Sequence, residues 1–427
     1  MSRKVESVSH LSNRSELYLA NSNSDVKFLI YKLQDTFYTF QYQNNRIRQV
    51  ASSKEGELAI GTILIAKVDH ILPQMKGCFV SLNETEKGFL SLEKGNNGSE
   101  PINRKKDGKI LEGDQIIVCV QKAASKNKPI QVTAHYEISS PYIVFQWGTG
   151  KIGYSAKLSQ ESKNHCREAV ACWKNELTQQ QLLALSHADL VVRTKAGQLD
   201  DNLLIQSIEE SFSVFCKVDL FGHTRTVFDI LSRPEPAYLQ LIEDQNPEEK
   251  FEIITQQREI YESLLQHPYL GKCPVRLYVD DRISLAKVYA LNTRLKELLS
   301  AKVSMKSGAA LMIEQTEALV AIDVNSGKLT HKSDPDDYYL ACNLEAADEI
   351  FYQIAVRNLS GMILIDFINM KKQSNIDQLI AHMKAAVKAD KVITTYVDYT
   401  KLGLVELTRM KTSVPLKDKL SAWDFNL

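Results

Sequence analysis

Two aspartates in the last third of the chain each end a short apolar run. Leu319–Ile322 leads into Asp323, and Met362–Ile365 leads into Asp366. Short apolar runs of this kind indicate buried strands, and a stretch with helical periodicity separates them. A strand, a crossover helix and a second strand normally give parallel neighbours, and such sheets bind ligands at the carboxyl ends of their strands. We therefore expect the two carboxylates to emerge side by side at one sheet edge.

Two like charges at that spacing repel each other unless a cation lies between them. Carboxylate oxygens are hard ligands, which favour Mg²⁺ or Mn²⁺ over zinc. Asn325 and Asn369 flank the aspartates and could orient a water molecule or a phosphate oxygen. The residues alone also allow the ordinary interpretation, in which the aspartates cap helices or turns and the asparagines form turns.

The elements that would position these aspartates follow from the spacing of apolar residues. Gly361–Asp366 is almost purely apolar, which predicts a strand buried on both faces. Two earlier strands joined by a tight turn predict a hairpin. The predicted elements of this region are strands at Ala309–Glu314, Glu317–Val324, Gly361–Asp366 and Lys391–Tyr396, and helices at Tyr338–Arg357 and Ile376–Val387.

Earlier in the chain, strand signals come first and helical signals follow. Val26–Gln49 is rich in aromatic and β-branched residues, with a turn at Asn44–Asn45, which predicts two or three strands. Leu58–Tyr136 contains several short strand signals separated by Gly- and Asn-rich turns, as in a small OB-type barrel. The helical pattern predicts helices over Leu158–Leu185 and Phe251–Leu265.

The composition is that of a globular protein without a global charge signal. The chain has 427 residues, 44% of them hydrophobic, a length that predicts roughly two to four domains. Lysine plus arginine equals aspartate plus glutamate at 52 each, so a nucleic-acid-binding surface must be local. No apolar run could span a bilayer, and Met1–Asp25 does not resemble a secretory signal. The seven cysteines are scattered without a Cys-x-x-Cys pair, so no zinc site is predicted and a reducing compartment is favoured.

Long strings around the two aspartates closely resemble the catalytic signature of the RNase E/G family. They occur in that family's order and spacing, and the resemblance extends over about Val26 to Leu416, with its strongest part in the last third. The strings that carry it are Glu314–Gly327, Asn343–Ile350, Arg357–Gly361 and Ile365–Met370.

The resemblance implies a multidomain α/β fold. Its parts would be an RNase H-like subdomain with an inserted S1 (OB-fold) barrel and 5′-sensor region, followed by a DNase I-like catalytic subdomain. The expected boundaries are a flexible tail at 1–25, RNase H-like parts at 26–57 and 233–300, the S1 domain at 58–137, the sensor at 138–232, the catalytic subdomain at 301–410 and a C-terminal tail at 411–427.

The implied function is a Mg²⁺-dependent endoribonuclease, with Mn²⁺ as a possible substitute, in RNA processing and decay. Asp323 and Asp366 match the family's metal-binding aspartates, and Asn325 matches its catalytic asparagine. Cleavage of single-stranded RNA would leave 5′-phosphate and 3′-hydroxyl ends, with a preference for substrates that carry a 5′-monophosphate. The expected location is the cytoplasm, with an organelle such as a plastid as the alternative.

Three residues in the predicted barrel match RNA-contacting positions of the family. Phe79 and Phe89 match its base-stacking aromatics, and Lys128 matches a lysine near the RNA. Without the resemblance, the two phenylalanines would be assigned to the barrel core and Lys128 to a solvated basic loop.

The Arg193–Thr194 pair matches the family's element for recognising a 5′-monophosphate, and Val144 matches the segment whose backbone completes that pocket. A guanidinium beside a hydroxyl suits a terminal phosphate. Ser140 stands where relatives carry a glycine, which affects the expected shape of the pocket. The alternative is an ordinary arginine and threonine at a strand end.

Two departures from the family pattern keep other functions open. Asn369 replaces a common acidic residue, and Met410–Leu427 lacks the cysteines of the family's zinc link, so any homo-oligomer is expected not to depend on zinc. A non-catalytic RNA-binding protein that keeps the fold is the main alternative. A phosphodiesterase acting on DNA or small nucleotides is the third, because the fold of such a site does not dictate the substrate.

Overall fold

The computed structural model describes residues 26–92, 101–103, 110–124, 128–243, 245, 250–267, 270, 273–280, 282–326 and 335–425. The chain forms two compact units. Among the described residues, the first combines 26–55 with those from Gln245 onward, and the second lies within Gly56–Asp244. Among the described helices, none is both long and apolar enough to cross a membrane.

The first unit begins with an antiparallel meander of three strands. The turn between its second and third strands is Asn44–Asn45, as predicted, with both residues in the left-handed region at φ 50° and 60°. Asparagine tolerates this backbone better than most residues, and two such residues suit a tight hairpin. The strands are β1 (Val26–Leu33), β2 (Thr36–Gln43) and β3 (Arg46–Lys54).

The second unit contains a closed five-stranded barrel, which confirms the predicted OB-type barrel. The strands pair in the order β4-β5-β6-β8-β7, and β7 pairs back onto β4. Alternate residues such as Leu64, Val80, Leu90 and Val118 point inward and are fully buried. The strands are β4 (Ile63–Leu72), β5 (Gly77–Ser81), β6 (Lys87–Ser91), β7 (Gln115–Lys122) and β8 (Ile130–Thr133).

A four-stranded sheet with helices packed on it follows the barrel in the second unit. The sheet comprises β9 (Glu137–Ser139), β10 (Ile143–Trp147), β11 (Ile152–Tyr154) and β12 (Ala188–Val192), and β13 (Ile230–Ser232) pairs with β4. The helices are α1 (Gln160–Asn175), α2 (Gln179–Ser186), α3 (Asp201–Phe221) and α4 (Ala237–Glu243).

The helical pattern over Leu158–Leu185 corresponds to two helices, α1 and α2, because the chain breaks between them. Thr178 begins α2 with a capping box, in which its hydroxyl accepts from the Gln181 N–H and Gln181 accepts from the Thr178 N–H. Such a reciprocal pair satisfies backbone donors at a new helix start.

The chain then returns to the first unit, where two more strands join the meander of β1, β2 and β3. The strand order of this sheet is β15-β14-β1-β2-β3. The prediction of one helix over Phe251–Leu265 was wrong: its first five residues are a strand, buried along its whole length beside β1. Burial on both faces is typical of a central parallel strand. The new elements are β14 (Phe251–Thr255), β15 (Val275–Leu277), α5 (Arg258–Gln266), α6 (Leu285–Val288) and α7 (Leu291–Leu299).

The last sheet of the first unit has six strands in the order β16-β17-β18-β19-β21-β20. The predicted hairpin is β17–β18, and β18 and β19 are parallel as predicted. The last strand in the sequence, β21, lies between β19 and β20 and is not among the predicted elements. The elements are β16 (Lys302–Ser304), β17 (Ala310–Gln315), β18 (Leu319–Asn325), β19 (Gly361–Asp366), β20 (Thr394–Tyr399), β21 (Leu404–Arg409), α8 (Pro335–Val356) and α9 (Gln373–Ala389).

Burial of β19 on both faces was a wrong prediction. Ile363 and Ile365 are fully buried in the core that α8 and α9 share with the sheet, whereas Met362 on the opposite face is 52% exposed. Although its residues are almost all apolar, the strand therefore alternates between a buried face and a face exposed to solvent.

The segment 411–427, expected as a tail, contributes to the core of the first unit through α10 (Leu416–Lys419) and the residues after it. Trp423 is 5% exposed and packs its ring on Tyr38 and Phe40, with centroids 5.0 and 5.3 Å away. Its Nε1 donates to Asn292 Oδ1 at 2.8 Å. This buried aromatic attaches the end of the described chain to the first sheet.

We predict that Trp423→Ala destabilises the protein by about 3–5 kcal/mol, because it removes a large side chain from a packed aromatic cluster. Unfolding in urea, followed by tyrosine and tryptophan fluorescence and by circular dichroism, measures this loss. Leu402→Ala is the control, because Leu402 is 84% exposed in the same unit and its truncation should change stability by less than about 0.5 kcal/mol. Equal stability of the two variants would contradict the packing role.

Candidate functional site

Asp323 and Asp366 lie directly opposite each other at the carboxyl ends of β18 and β19. The two residues are register partners in this parallel pair, and neighbouring strands lie about 4.8 Å apart. Their neighbours Ile322 and Ile365 are buried, so the alternation of the strands turns both carboxylates onto the exposed face. This is the juxtaposition expected from the sequence.

Asn325 lies two residues beyond Asp323 on the same exposed face. Its Nδ2 donates to Asp323 Oδ2 at 2.6 Å, which orients one carboxylate and leaves its other oxygen available. Asn369 is exposed in the loop after β19. Its side chain makes no hydrogen bond to any described residue, so the structure links Asn325, but not Asn369, to the aspartate pair.

Polar residues of α8 hold the loop after Asp366, and this role was not predicted from the sequence. Asn343 is fully buried; its amide donates to the Ile368 carbonyl at 2.8 Å and accepts from the Ile368 N–H at 3.0 Å. Asp336 accepts from the N–H groups of Lys371 and Lys372. Asn343 is a polar residue on the otherwise apolar face of a predicted helix, and this was the signal that could have indicated its contacts with the loop.

The donor set suits a hard divalent cation. Two exposed carboxylates on adjacent strands and a side-chain amide present the oxygen ligands that Mg²⁺ prefers. The next row of residues across the same face of the sheet is also acidic. It has Glu314 of β17 at one end and Glu406 of β21 at the other, in register with each other through β18 and β19. An acidic surface of this kind attracts cations and repels an unaccompanied phosphate.

Phe79 and Phe89 are register partners on β5 and β6 of the barrel. Their ring centroids are 5.8 Å apart with an interplanar angle of 72°. Both side chains are only partly buried and lie outside the cluster of residues that fills the barrel. This placement leaves ring surface exposed, whereas a core-filling role would have enclosed it.

The aromatic pair belongs to a row that crosses the outer face of the barrel, with His70 on β4 and Gln131 on β8 as its neighbours. Gly77 makes room for Phe89: a Cβ at residue 77 would lie 2.3 Å from the Phe89 Cζ. Lys128 is exposed in the connection between β7 and β8, of which residues 125–127 lie outside the described part.

Arg193 and Thr194 follow directly after β12 and are both exposed. The Arg193 guanidinium donates to Ser139 Oγ at 2.8 Å, and its backbone N–H donates to the Tyr142 carbonyl at 2.8 Å. The hydroxyls of Thr194 and Ser155 are 2.8 Å apart. The structure therefore anchors the Arg193 guanidinium on Ser139 and the Thr194 hydroxyl on Ser155, and the guanidinium keeps further N–H donors.

Ser140 and Val144 frame the same end of the sheet. Val144 on β10 is 8% exposed and pairs with Ser139 and Val191. Ser140 closes the turn between β9 and β10, where its Oγ accepts from the Ile143 N–H at 3.0 Å. Ser140 is not among the residues with positive φ, so the turn does not require a glycine there.

Comparison with known proteins identifies one family. A model of the Ribonuclease E/G family matches residues 137–412. The chain is 29% identical to a protein named Ribonuclease E from Synechocystis sp. over 83% of this chain and 53% of that protein. It is 26% identical to Ribonuclease G of Escherichia coli (strain K12) over 83% of this chain and 73% of that protein. The chain belongs to the ribonuclease E/G family.

Relatives named Ribonuclease E are longer than the matched region. The chain covers 53% of the Synechocystis protein and 33% of Ribonuclease E from Escherichia coli (strain K12), to which it is 25% identical. It thus spans about half the length, or less, of these relatives.

We predict that Gly77→Ala displaces the Phe89 ring, because the new methyl group would overlap it, and costs about 1–3 kcal/mol of stability through overpacking. Gly153→Ala is the matched control, since a Cβ there would meet no atom closer than 3.9 Å. Urea unfolding and the aromatic region of an NMR spectrum measure both effects. An unchanged Phe89 environment in Gly77→Ala would contradict the close contact.

Proposed function

We propose that this protein is a metal-dependent endoribonuclease that cleaves single-stranded RNA. The observation that carries the proposal is the side-by-side placement of Asp323 and Asp366 on parallel strands in a member of the ribonuclease E/G family. We further propose that the first sheet is RNase H-like, that the barrel is an S1 domain and that the six-stranded sheet is the DNase I-like catalytic part.

Asp323 and Asp366 would hold Mg²⁺, or Mn²⁺ in its place, through their carboxylate oxygens. A bound ion of this kind supplies a Lewis acid that polarises a phosphodiester and makes water a better nucleophile at neutral pH. Asn325 keeps Asp323 oriented through its amide and has a second N–H to donate to a phosphate oxygen. We propose that hydrolysis leaves a 5′-phosphate and a 3′-hydroxyl.

The barrel would hold the RNA strand on its outer face. The partly exposed rings of Phe79 and Phe89 offer surfaces on which unpaired bases stack, an interaction of about 1–3 kcal/mol per base. Lys128 would add a phosphate contact beside them. This arrangement favours single strands, whose bases are free to leave a helical stack.

The Arg193–Thr194 pair would recognise a 5′-monophosphate, with the Val144 backbone completing the pocket. A terminal phosphate carries more charge than a phosphodiester and accepts several hydrogen bonds, which matches an exposed guanidinium beside a hydroxyl. Ser139 already orients the guanidinium.

We predict that Asp323→Asn and Asp366→Asn each lower Mg²⁺-dependent cleavage of a 5′-monophosphorylated RNA by roughly 100-fold or more. Removal of a ligand forfeits several kcal/mol of charge stabilisation by the metal, and each 1.36 kcal/mol is about tenfold in rate. Initial cleavage rates measured with and without EDTA test this. Asp377→Asn, an exposed position on α9, is the control.

Equal cleavage by Asp323→Asn and Asp377→Asn would refute the assignment of the metal site. Tight RNA binding by the wild type without any Mg²⁺-dependent cleavage would instead support a non-catalytic RNA-binding protein. Equal cleavage of DNA and RNA of one sequence would indicate a general phosphodiesterase.

We predict that Arg193→Ala lowers the preference for 5′-monophosphate over 5′-hydroxyl RNA by roughly 10- to 100-fold, because a hydrogen bond to a charged group contributes about 1.5–3 kcal/mol. The ratio of kcat/KM for the two substrates is the measurement. Arg225→Ala, also exposed in the second unit, should keep the wild-type ratio. An unchanged ratio in Arg193→Ala would remove the sensor assignment.

A further inference from the structure

The first unit contains a cavity of about 880 Å³ between β3, α7, β16 and α8. Neither Asp323 nor Asp366 is among the residues that line it. Five cationic side chains do so, from β3, α7, β16 and the turn after β16: Arg46, Arg48, Arg294, Lys302 and Lys306. We call this space the arginine cavity.

Tyr352 of α8 holds two of the arginines in place. Its hydroxyl donates to the Ile47 carbonyl at 2.7 Å. The centroid of its ring lies 3.6 Å from the Arg46 guanidinium carbon and 5.5 Å from that of Arg48. Stacking on an aromatic ring restricts an arginine without using its N–H donors. The arginine cavity is therefore preorganised to present guanidinium groups.

Arg48 is the member with unused donors. Its Nε is buried and has no hydrogen-bond partner among the described residues. A buried donor without a partner destabilises the protein, and an acceptor entering the cavity would remove that cost. Such an acceptor must be an anion or carry strong acceptor oxygens.

Most carboxylates of the arginine cavity are already engaged by other groups. Glu349 accepts from Arg46 at 2.6 Å and from the Gln353 amide at 2.8 Å. Asp348 contacts the His382 ring at 2.7 Å, and Glu345 accepts from the Lys306 and Ser307 N–H groups.

The positive charges exceed the free negative ones. The lining has five cationic side chains and four carboxylates. Arg48, Lys302 and Lys306 all lack a carboxylate partner among the described residues, whereas two of the carboxylates, Glu345 and Glu349, already accept hydrogen bonds. The uncompensated charge of the arginine cavity is thus positive, and its volume falls in the range of sites for small organic ligands.

We propose that the arginine cavity binds the phosphate groups of a nucleotide, either within an RNA strand or as a free mononucleotide. Guanidinium groups bind phosphate oxygens in pairs, and lysines add point charges around them. Phosphate oxygens would satisfy the buried Arg48 Nε and neutralise the lysine ammonium groups. The RNA case rests on the proposed function in that RNA is the substrate, but it requires no cleavage.

The test is RNA binding by the double variant Arg48→Gln/Lys302→Gln in EDTA, measured by fluorescence anisotropy with a 5′-hydroxyl single strand. EDTA removes the contribution of a metal and the 5′-hydroxyl removes that of the sensor, so failure of this proposal is separable from failure of the nuclease assignment. Each lost phosphate contact lowers the slope of log affinity against log salt by about 0.7. We expect the slope to fall by about 1.4 and the affinity to drop roughly tenfold at low salt.

Two controls separate this site from loss of charge and from misfolding. Arg258→Gln/Lys388→Gln removes the same charge from exposed positions of the same unit and should keep the wild-type slope. The single variant Arg48→Lys retains the charge and should keep most of the RNA binding of the wild type. If the double variant does not fold, Lys302→Gln alone, at an exposed position, should lower the slope by about 0.7.

Calorimetry with ADP distinguishes the two sources of phosphate. ADP binding by the wild type that is lost in the double variant supports a free nucleotide as the ligand. A lowered RNA slope without ADP binding supports an RNA strand. The proposal is overturned if the double variant and the charge-matched control bind RNA with the same salt slope and bind ADP equally.

Discussion

The first unit depends on one electrostatic constraint, which is that two carboxylates are held a single strand spacing apart. Asp323 and Asp366 are register partners on parallel strands, and the Asn325 amide, which donates to Asp323, offsets only part of their repulsion. The opposite face of the same strands must therefore supply the stabilisation. Ile322, Ile363 and Ile365 do so, since each is at most 2% exposed in the core under α8 and α9. Burial of apolar area at about 25 cal/mol per Å² offsets a repulsion that high-dielectric solvent already weakens.

The helix α8 does more than cover the sheet, because its polar residues fix the loops around the site. Asn343 and Asp336 hold the loop after Asp366, while Glu345 holds the turn between β16 and β17. Each of these residues satisfies backbone N–H groups that have no strand or helix partner. The positions of the loops are therefore determined by helix residues whose chemistry is polar but whose location is largely internal.

The local order of the site was predictable from sequence, and its long-range supports were not. Alternation and apolar runs predicted the β17–β18 hairpin, the α8 crossover and the parallel β18–β19 pair, because these contacts are set by residues close in the chain. Phe251–Thr255 was mistaken for part of a helix because only its distant partner β1 makes it a central strand. The core role of Trp423 likewise depends on Tyr38 and Phe40, which lie far away in sequence. Short apolar segments do not reveal such partners by periodicity alone.

On the side of α8 that faces β3, ionic and polar contacts as well as apolar packing join the two sheets of the first unit. Arg357 is 8% exposed, and burial lowers its pKa to about 10, which leaves it protonated at neutral pH. Its Nε donates to Gln353 at 2.6 Å, Gln353 donates to Glu349, and Glu349 accepts from Arg46 of β3. A buried charge of this kind is costly unless it is compensated, so the chain of contacts requires β3 and α8 to keep one arrangement. The same helix thus orders the carboxylate site on one side and the arginine cavity on the other.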